Sequence, residues 1–125
     1  EETISSYKKM KDAGIKILVG GDYGLDIAPH GTYAKDLEHY VNLFGFSNAE
    51  ALHSATSLGG EAMGNDGLLG TLEEGKLADL VIIDGNPLED ITVLQDHKKI
   101  KAVMKDGLIY QGLTNRINPY LNENL

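Results

Sequence analysis

A single strand-like segment, with no similar segment beside it, constrains this chain most. The segment Ile15–Gly20 is a nearly continuous apolar run rich in β-branched residues, which is typical of a strand buried on both faces of a parallel sheet. It follows a helical pattern over residues 3–14, in which Gly14 occupies the C′ position that favours glycine. Helix, glycine and buried strand form the α-to-β step of a parallel α/β fold. Because one strand between helices cannot form a parallel sheet alone, we expect its neighbours to lie outside this sequence or in a second copy of the chain.

Two more helical segments follow this strand. Apolar residues at helical spacing predict a helix over residues 33–46. The next helix starts with a capping box, in which Ser47 is the predicted N-cap and Glu50 reaches back to it. We expect the glycine pair Gly59-Gly60 to end or break that helix before residue 61.

The sequence changes character near Gly64, where short strand patterns divided by glycine turns begin. Residues 79–84 are the clearest strand, and residues 100–111 alternate as a hairpin does. Asp106-Gly107 stands at its centre and supports the positive φ angles of a type I′ turn. We therefore predict that both stretches are strands of one β-rich unit, followed by a polar, irregular tail over residues 113–125.

Charge and composition exclude several classes of function. The 11 Lys and Arg residues are outnumbered by 19 Asp and Glu, for a net charge of −8, and nucleic-acid binding needs a basic face that this chain lacks. No run of eighteen apolar residues occurs, so we expect no membrane partner. The absence of cysteine excludes disulfides and thiolate metal sites. It also fits a cytoplasmic location, although a targeting segment before Glu1 would not be visible here.

Five segments, in this order, resemble the C-terminal part of a metal-dependent amidohydrolase of the branch with imidazolonepropionase-like and prolidase-like members. They read GIKILVGGDYG, PHG, FSNAEALHSATSLGGEAMG, GLLGTLEEGKLADLVIIDGNPLEDI and IKAVMKDGLIY. The resemblance implies an α/β fold: a TIM barrel, (β/α)₈, with one or two divalent metal ions, expected to be zinc, at the C-terminal ends of its strands. It also implies a small composite β-sandwich domain built from both chain termini. Residues 1–64 would then be the last βα unit and C-terminal end of the barrel, and residues 65–112 the C-terminal share of the sandwich.

The same resemblance gives a role to Asp22, which follows the apolar run after two glycines. It matches the aspartate after the eighth barrel strand, a metal ligand that also carries the proton of the attacking water. A carboxylate can ligate Zn²⁺ through one oxygen and accept a proton through the other. The local sequence alone favours a turn residue or a helix N-cap for Asp22, and it is the resemblance of the surrounding segments that reverses this preference. The family often has Gly-Thr-Asp where this chain has Gly20-Gly21-Asp22, which removes one hydroxyl that could support the acid.

The histidines are weaker candidates than Asp22 for residues of the active site. His30 lies in the loop over the implied barrel mouth, where it could bind substrate or cap the next helix, whereas His39, His53 and His97 have the pattern of surface or packing residues. The family's His-x-His, its bridging lysine or glutamate and its later histidines match no position here. Asp22 is therefore at most one metal ligand of several.

The leading hypothesis is the C-terminal portion of an enzyme that hydrolyses C–N bonds in a small amide, cyclic amide or peptide-like substrate, using metal-activated water. We expect this chain alone to be inactive, and the complete protein to be a homo-oligomer. One alternative is a non-catalytic scaffold or interaction module that retains the fold. Another is a small self-contained α+β domain, which would require Ile15–Val19 to pair with the sandwich strands or with a second copy of the chain.

Overall fold

The computed structural model describes residues 1–64 and 67–112, which fold into short helices and a small antiparallel sheet. The helices are α1 (Glu2–Asp12), α2 (Lys35–Asn42), α3 (Asn48–Ala55) and α4 (Ser57–Met63), with a 3₁₀ helix at Ile91–Gln95; the strands are β1 (Leu80–Ile83), β2 (Ile100–Lys105) and β3 (Leu108–Gly112). The chain is thus an α/β structure with a small sheet. Among the described residues, every helix is too short or too polar to cross a bilayer.

A glycine with a positive φ angle follows each of the first two helices. Gly14 has a φ of 73° just after α1, so the predicted C′ glycine is confirmed. Helix α2 is shorter than the predicted 33–46. It ends at Asn42, and Gly45, at φ 78°, lets the chain turn back so that the Phe46 N–H bonds the Tyr40 carbonyl at 3.1 Å. This return places Phe46 against the helix it follows.

Helix α3 begins with the predicted capping box. The Ser47 hydroxyl accepts a bond from the Glu50 N–H at 3.2 Å, and the Glu50 carboxylate accepts one from the Ser47 N–H at 2.7 Å. The prediction that Gly59-Gly60 would end or break the helix is wrong. The break lies at Thr56, which has φ −112° and ψ −81°, and the two glycines are inside α4.

Close packing explains Gly60, the second glycine of that pair. A Cβ atom at Gly60 would lie 2.6 Å from the Leu69 carbonyl oxygen, and one at Gly70 would lie 2.7 Å from the Thr56 carbonyl oxygen. The segment near residue 70 therefore runs directly against α4, and only glycine leaves room for it.

The β-rich unit forms as predicted. Strand β2 pairs antiparallel with both β1 and β3, in the order β1-β2-β3. Asp106 and Gly107 have φ angles of 49° and 76°, as a type I′ turn requires. The Asp79 carboxylate accepts a bond from the Asp106 N–H at 2.6 Å, which ties this turn to the start of β1.

The segment Ile15–Gly20 is not a strand in this structure, and its pairing with strands outside this chain stays a prediction. It does not pair with β1, β2 or β3, so the form of the self-contained α+β alternative in which it joins the sandwich strands is wrong. Side chains of the helices bond its backbone instead. The Ser54 hydroxyl donates to the Ile17 carbonyl at 2.6 Å and accepts from the Val19 N–H at 2.9 Å, while the Tyr40 hydroxyl donates to the Leu18 carbonyl at 2.7 Å.

Both halves of the chain share one core. Leu37, Tyr40, Ala51 and Ile91 form a buried cluster, and Ile17 and Val19 are among the half-buried residues packed on it. Ile91 comes from the 3₁₀ helix, within the range 65–112 that the resemblance assigns to the sandwich. Because this helix lies on α2, the polypeptide after Gly85 is anchored to the helices that follow Ile15–Gly20.

Candidate functional site

The candidate site is the loop between Gly20 and α2, which the structure folds back on itself. The Gly24 N–H bonds the Ala28 carbonyl at 2.9 Å, and the Ala28 N–H bonds the Leu25 carbonyl at 2.9 Å. Gly24 has a φ of 106°, which other residues rarely adopt. Asp22 lies at the start of this loop, immediately before the fold-back.

Asp22 is exposed to solvent and free to face a partner outside this chain. The alternative that it caps a helix is wrong, because the N-cap of α2 is Ala34. One exposed carboxylate is a suitable oxygen ligand for a divalent metal, but it is only part of a coordination shell. Within residues 1–64 and 67–112, no group of three His, Asp or Glu side chains converges to hold a metal ion.

His30 lies in the same loop but does not cap α2 either. Its Nδ1 is 2.8 Å from the Tyr33 hydroxyl, and its Nε2 would be 3.0 Å from a Cβ atom at Gly24. The imidazole therefore packs against the backbone two residues after Asp22. A side chain on Gly24 would displace it.

A cavity of about 570 Å³ opens beside this loop. Its apolar lining includes Val19, Leu37 and Ala55, and its polar lining includes His30 and Asp36. His30 thus lies in the same loop as Asp22 and lines the cavity, whereas Asp22 does not line it.

The structure adds three residues that the sequence did not single out, namely Tyr23, Tyr33 and Asp36. The rings of Tyr23 and Tyr33 meet edge to face, with centroids 4.5 Å apart. Partial burial, and then the neighbouring Asp36 carboxylate, raise the pKa of Tyr23 from 10.0 to about 12, so its hydroxyl stays protonated well above neutral pH. The only available signal in the sequence was that Tyr23 adjoins Asp22.

The remaining histidines lie away from this loop. His39 is half-buried on α2, His53 is exposed on α3, and His97 is exposed in the turn before β2. Each position fits a packing or surface role, and none brings a ring nitrogen into the group of His30, Tyr33 and Tyr23.

Known proteins of one family match most of this chain. The model of the "Amidohydrolase family" matches residues 1–109. Ochratoxinase from Aspergillus niger is 34% identical over 110 residues, which are 87% of this chain and 22% of that protein, and its crystal structure gives a TM-score of 0.78.

Two prolidase-type crystal structures are equally similar. A putative prolidase from Bifidobacterium longum is 37% identical, with a TM-score of 0.79 over 85% of this chain and 25% of that one. A Xaa-Pro dipeptidase with methionine bound in its active site is 38% identical, with a TM-score of 0.77 over 87% of this chain and 25% of the other. The chain therefore spans about a quarter of the length of these relatives. By this match over nearly its whole length, the chain belongs to the amidohydrolase family, in its prolidase-like branch.

Proposed function

We propose that this chain is the C-terminal portion of a metal-dependent amidohydrolase that hydrolyses a C–N bond in an amide, cyclic amide or peptide-like substrate. The observation that carries the proposal is Asp22, an exposed carboxylate directly after the apolar run Ile15–Gly20, in a chain matched by the family over residues 1–109. The relatives named ochratoxinase and Xaa-Pro dipeptidase support the same class of reaction.

In the complete protein, Ile15–Gly20 would be the last strand of a (β/α)₈ barrel. Active sites of such barrels lie at the C-terminal ends of the strands, which is where Asp22 would lie if Ile15–Gly20 is the last strand. Residues 1–64 would complete the barrel, residues 65–112 would contribute to a composite β-sandwich domain, and residues 113–125 would be its tail. The exposed positions of Ile15 and Leu18, 54% and 44% accessible, are those that neighbouring strands or a second copy of the chain would cover.

Asp22 would have two tasks. A divalent metal ion, zinc in our proposal, lowers the pKa of a bound water when it is present. One carboxylate oxygen of Asp22 would serve as a ligand, and the other would accept the proton of the attacking water and pass it to the leaving nitrogen. His30, which lines the cavity, would contact the substrate. The remaining ligands would come from sequence outside this chain.

The test starts with the sequence upstream of Glu1 in the gene. We expect a His-x-His motif about 250 to 350 residues before Asp22, a spacing set by the size of the barrel. The complete protein should bind metal and hydrolyse dipeptides or N-acyl amino acids, and Asp22→Asn should remove most of the activity and part of the metal. His53→Asn, on the exposed side of α3, is the control and should change neither.

The 125-residue chain alone should not hydrolyse amides even with added Zn²⁺, because a catalytic zinc site needs about three protein ligands. Zinc-dependent turnover by this chain that survives Asp22→Ala would contradict the site assignment. If the complete protein lacks both the His-x-His and bound metal, the non-catalytic scaffold becomes the better description.

A further inference from the structure

The cavity beside the loop has apolar, aromatic and acidic groups in its lining, and the proposed reaction assigns a role only to His30 among them. Its volume of about 570 Å³ is within the range of small-molecule sites, about 300 to 1,000 Å³. Tyr23, Tyr33 and Asp36 line it, and none of the described residues in its lining is Lys or Arg. The cavity can therefore surround a small apolar body and offer a carboxylate to a charged end.

The carboxylate of Asp36 is available to a ligand. Asp36 is half-buried, and within residues 1–64 and 67–112 no Lys or Arg side chain forms an ion pair with it. A Cβ atom at Gly21 would lie 3.1 Å from Oδ2 of Asp36, so the absence of a side chain at Gly21 keeps the space beside this carboxylate open. A cation that enters this space is attracted more strongly than in water, because protein replaces part of the solvent.

Two tyrosine rings line the same cavity. A Cβ atom at Gly21 would lie 3.0 Å from Cε2 of Tyr23, so this ring and the carboxylate of Asp36 both border Gly21. The rings of Tyr23 and Tyr33 meet at an interplanar angle of 78°, with centroids 4.5 Å apart. The bond between the Tyr33 hydroxyl and His30 limits the movement of the second ring. Aromatic rings attract cations electrostatically, and here they lie in a cavity that also contains a carboxylate.

The charges around the cavity favour a cation over an anion. Residues 20–38 contain one lysine, Lys35, and four acids, Asp22, Asp26, Asp36 and Glu38. The start of α2 would attract an anion through the helix dipole, but its first turn already contains Asp36 and Glu38. An anion in the cavity would therefore be repelled by the lining carboxylate, whereas a cation would be attracted.

We propose that this cavity binds an organic ammonium ion, with the charged end at Asp36 and Tyr23 and an apolar body against the apolar part of the lining. The inference stands on the lining of the cavity and does not require that Asp22 bind a metal. Two sources share this chemistry, namely the ammonium group of a substrate and a separate free amine. Gly21 and Tyr23 line the cavity and flank Asp22, so either ligand would contact the backbone next to it.

The test measures binding to the complete protein by isothermal titration calorimetry, with three probes of similar shape. Phenethylamine is a cation near neutral pH, phenethyl alcohol is its neutral analogue, and phenylacetate is an anion. We expect the amine to bind about tenfold more tightly than the alcohol, because the ion pair and the attraction of the rings add to the same apolar burial. Phenylacetate should bind more weakly than the alcohol.

Matched substitutions locate the binding site. Asp36→Asn removes the charge at nearly constant volume and should weaken binding of the amine by about tenfold, with less than about a twofold change for the alcohol. Tyr33→Leu should weaken binding of the amine by about threefold. Asp26→Asn is the control, because it makes the same change at an exposed acid of the loop that does not line the cavity. It should leave the affinity for the amine unaltered.

Asp22→Asn should also leave the affinity for the amine unaltered, since Asp22 does not line the cavity. Thermal unfolding of each variant separates loss of binding from loss of the fold. If Asp36→Asn does not fold, the comparison of the three probes on the wild-type protein decides the question.

Kinetics of the active enzyme distinguish the two sources of the ammonium group. Phenethylamine that raises KM at unchanged kcat shows that the cavity holds the ammonium group of the substrate. A change in kcat at unchanged KM identifies a separate amine as the ligand. Either pattern, together with the binding preference, supports the proposed site.

Several results would overturn the inference: equal affinity for the amine and the alcohol, tighter binding of phenylacetate, or an unchanged affinity for the amine in folded Asp36→Asn. Loss of amine binding in folded Asp22→Asn would overturn it too, because the amine would then bind at the metal site. Failure of the proposed function is separate. A protein that binds the amine but has neither metal nor activity refutes that function alone, whereas an active enzyme that does not distinguish amine from alcohol refutes only the ammonium site.

Discussion

At the scale of single residues, the carboxylate of Glu50 does more than complete a helix cap. It also accepts a hydrogen bond from Nζ of Lys11 on α1 at 2.9 Å, and the Lys11 ammonium reaches the Gly45 carbonyl as well. The Ser47 backbone N–H and then the Lys11 ammonium hold the pKa of Glu50 at about 2, below its usual 4.5. One ionised carboxylate thus joins the start of α3 to the end of α1.

This linkage predicts a stability that depends on pH. Because the pKa of Glu50 is lower in the folded chain, its contribution is complete above about pH 4.5 and declines as the pH falls towards 2. Glu50→Gln should therefore lower the free energy of unfolding near pH 7 by about 1 kcal/mol, since the side chain is half exposed and solvent screens the pair. The difference from wild type should shrink as the pH falls towards 2 in urea unfolding curves.

Glu74→Gln, which neutralises another exposed carboxylate, is the control for loss of a negative charge. A Glu50→Gln penalty that is the same at pH 2.5 and pH 7 would show that the Ser47 and Lys11 contacts do not stabilise the ionised form.

At the scale of elements, the adjacent glycines of α4 give a direct comparison of helix propensity and packing. A Cβ atom at Gly59 would be 3.9 Å from its nearest neighbour, whereas one at Gly60 would be 2.6 Å from a backbone oxygen. We expect Gly59→Ala to stabilise the chain by up to about 1 kcal/mol through helix propensity. Gly60→Ala should destabilise it by about 1 to 3 kcal/mol, because the segment at Leu69 must move. Thermal unfolding of the two variants measures both effects, and equal shifts would disprove the close approach.

Elements whose signals are local were predictable from the sequence. The Ser47 capping box, the left-handed Gly14 and the turn at Asp106-Gly107 each depend on a few adjacent residues. Features that depend on distant contacts were not predictable. The glycines at 59 and 60 indicate a helix end by propensity, but the approach of Leu69 determines the role of Gly60.

The candidate site shows the same division. Asp22 was predictable as a site residue because it follows an apolar run and because its neighbours in sequence resemble those of the family. The approach of Asp36 to Gly21 and Tyr23 depends on where α2 starts, and the predicted start at residue 33 differs from the observed Lys35. Fold-back of the loop at Gly24, which brings His30 onto the backbone after Asp22, likewise follows from hydrogen bonds between residues that no sequence pattern pairs.

At the scale of the whole molecule, the core and the unpaired segment lie against each other. Ile17 and Val19 pack on the core, and Ser54, only 2% exposed, bonds the backbone between them. The neighbouring Ile15 and Leu18 are exposed. The segment thus has one side satisfied by the helices and another that presents apolar side chains to solvent.

An apolar segment of this kind, with backbone groups available for strand pairing, favours association between chains. We therefore expect the 125-residue chain alone to self-associate, with an average mass in sedimentation velocity that rises with concentration. Leu18→Lys should shift the chain towards monomer, because a buried ammonium without a partner opposes association. Leu72→Lys is the matched control: Leu72 is 72% exposed but lies outside Ile15–Gly20, so this change should leave the mass distribution unaltered. A well-folded wild-type monomer over a hundredfold range of concentration would show that the helices alone suffice to protect this segment, and it would remove the main physical reason for placing Ile15–Gly20 in a larger sheet.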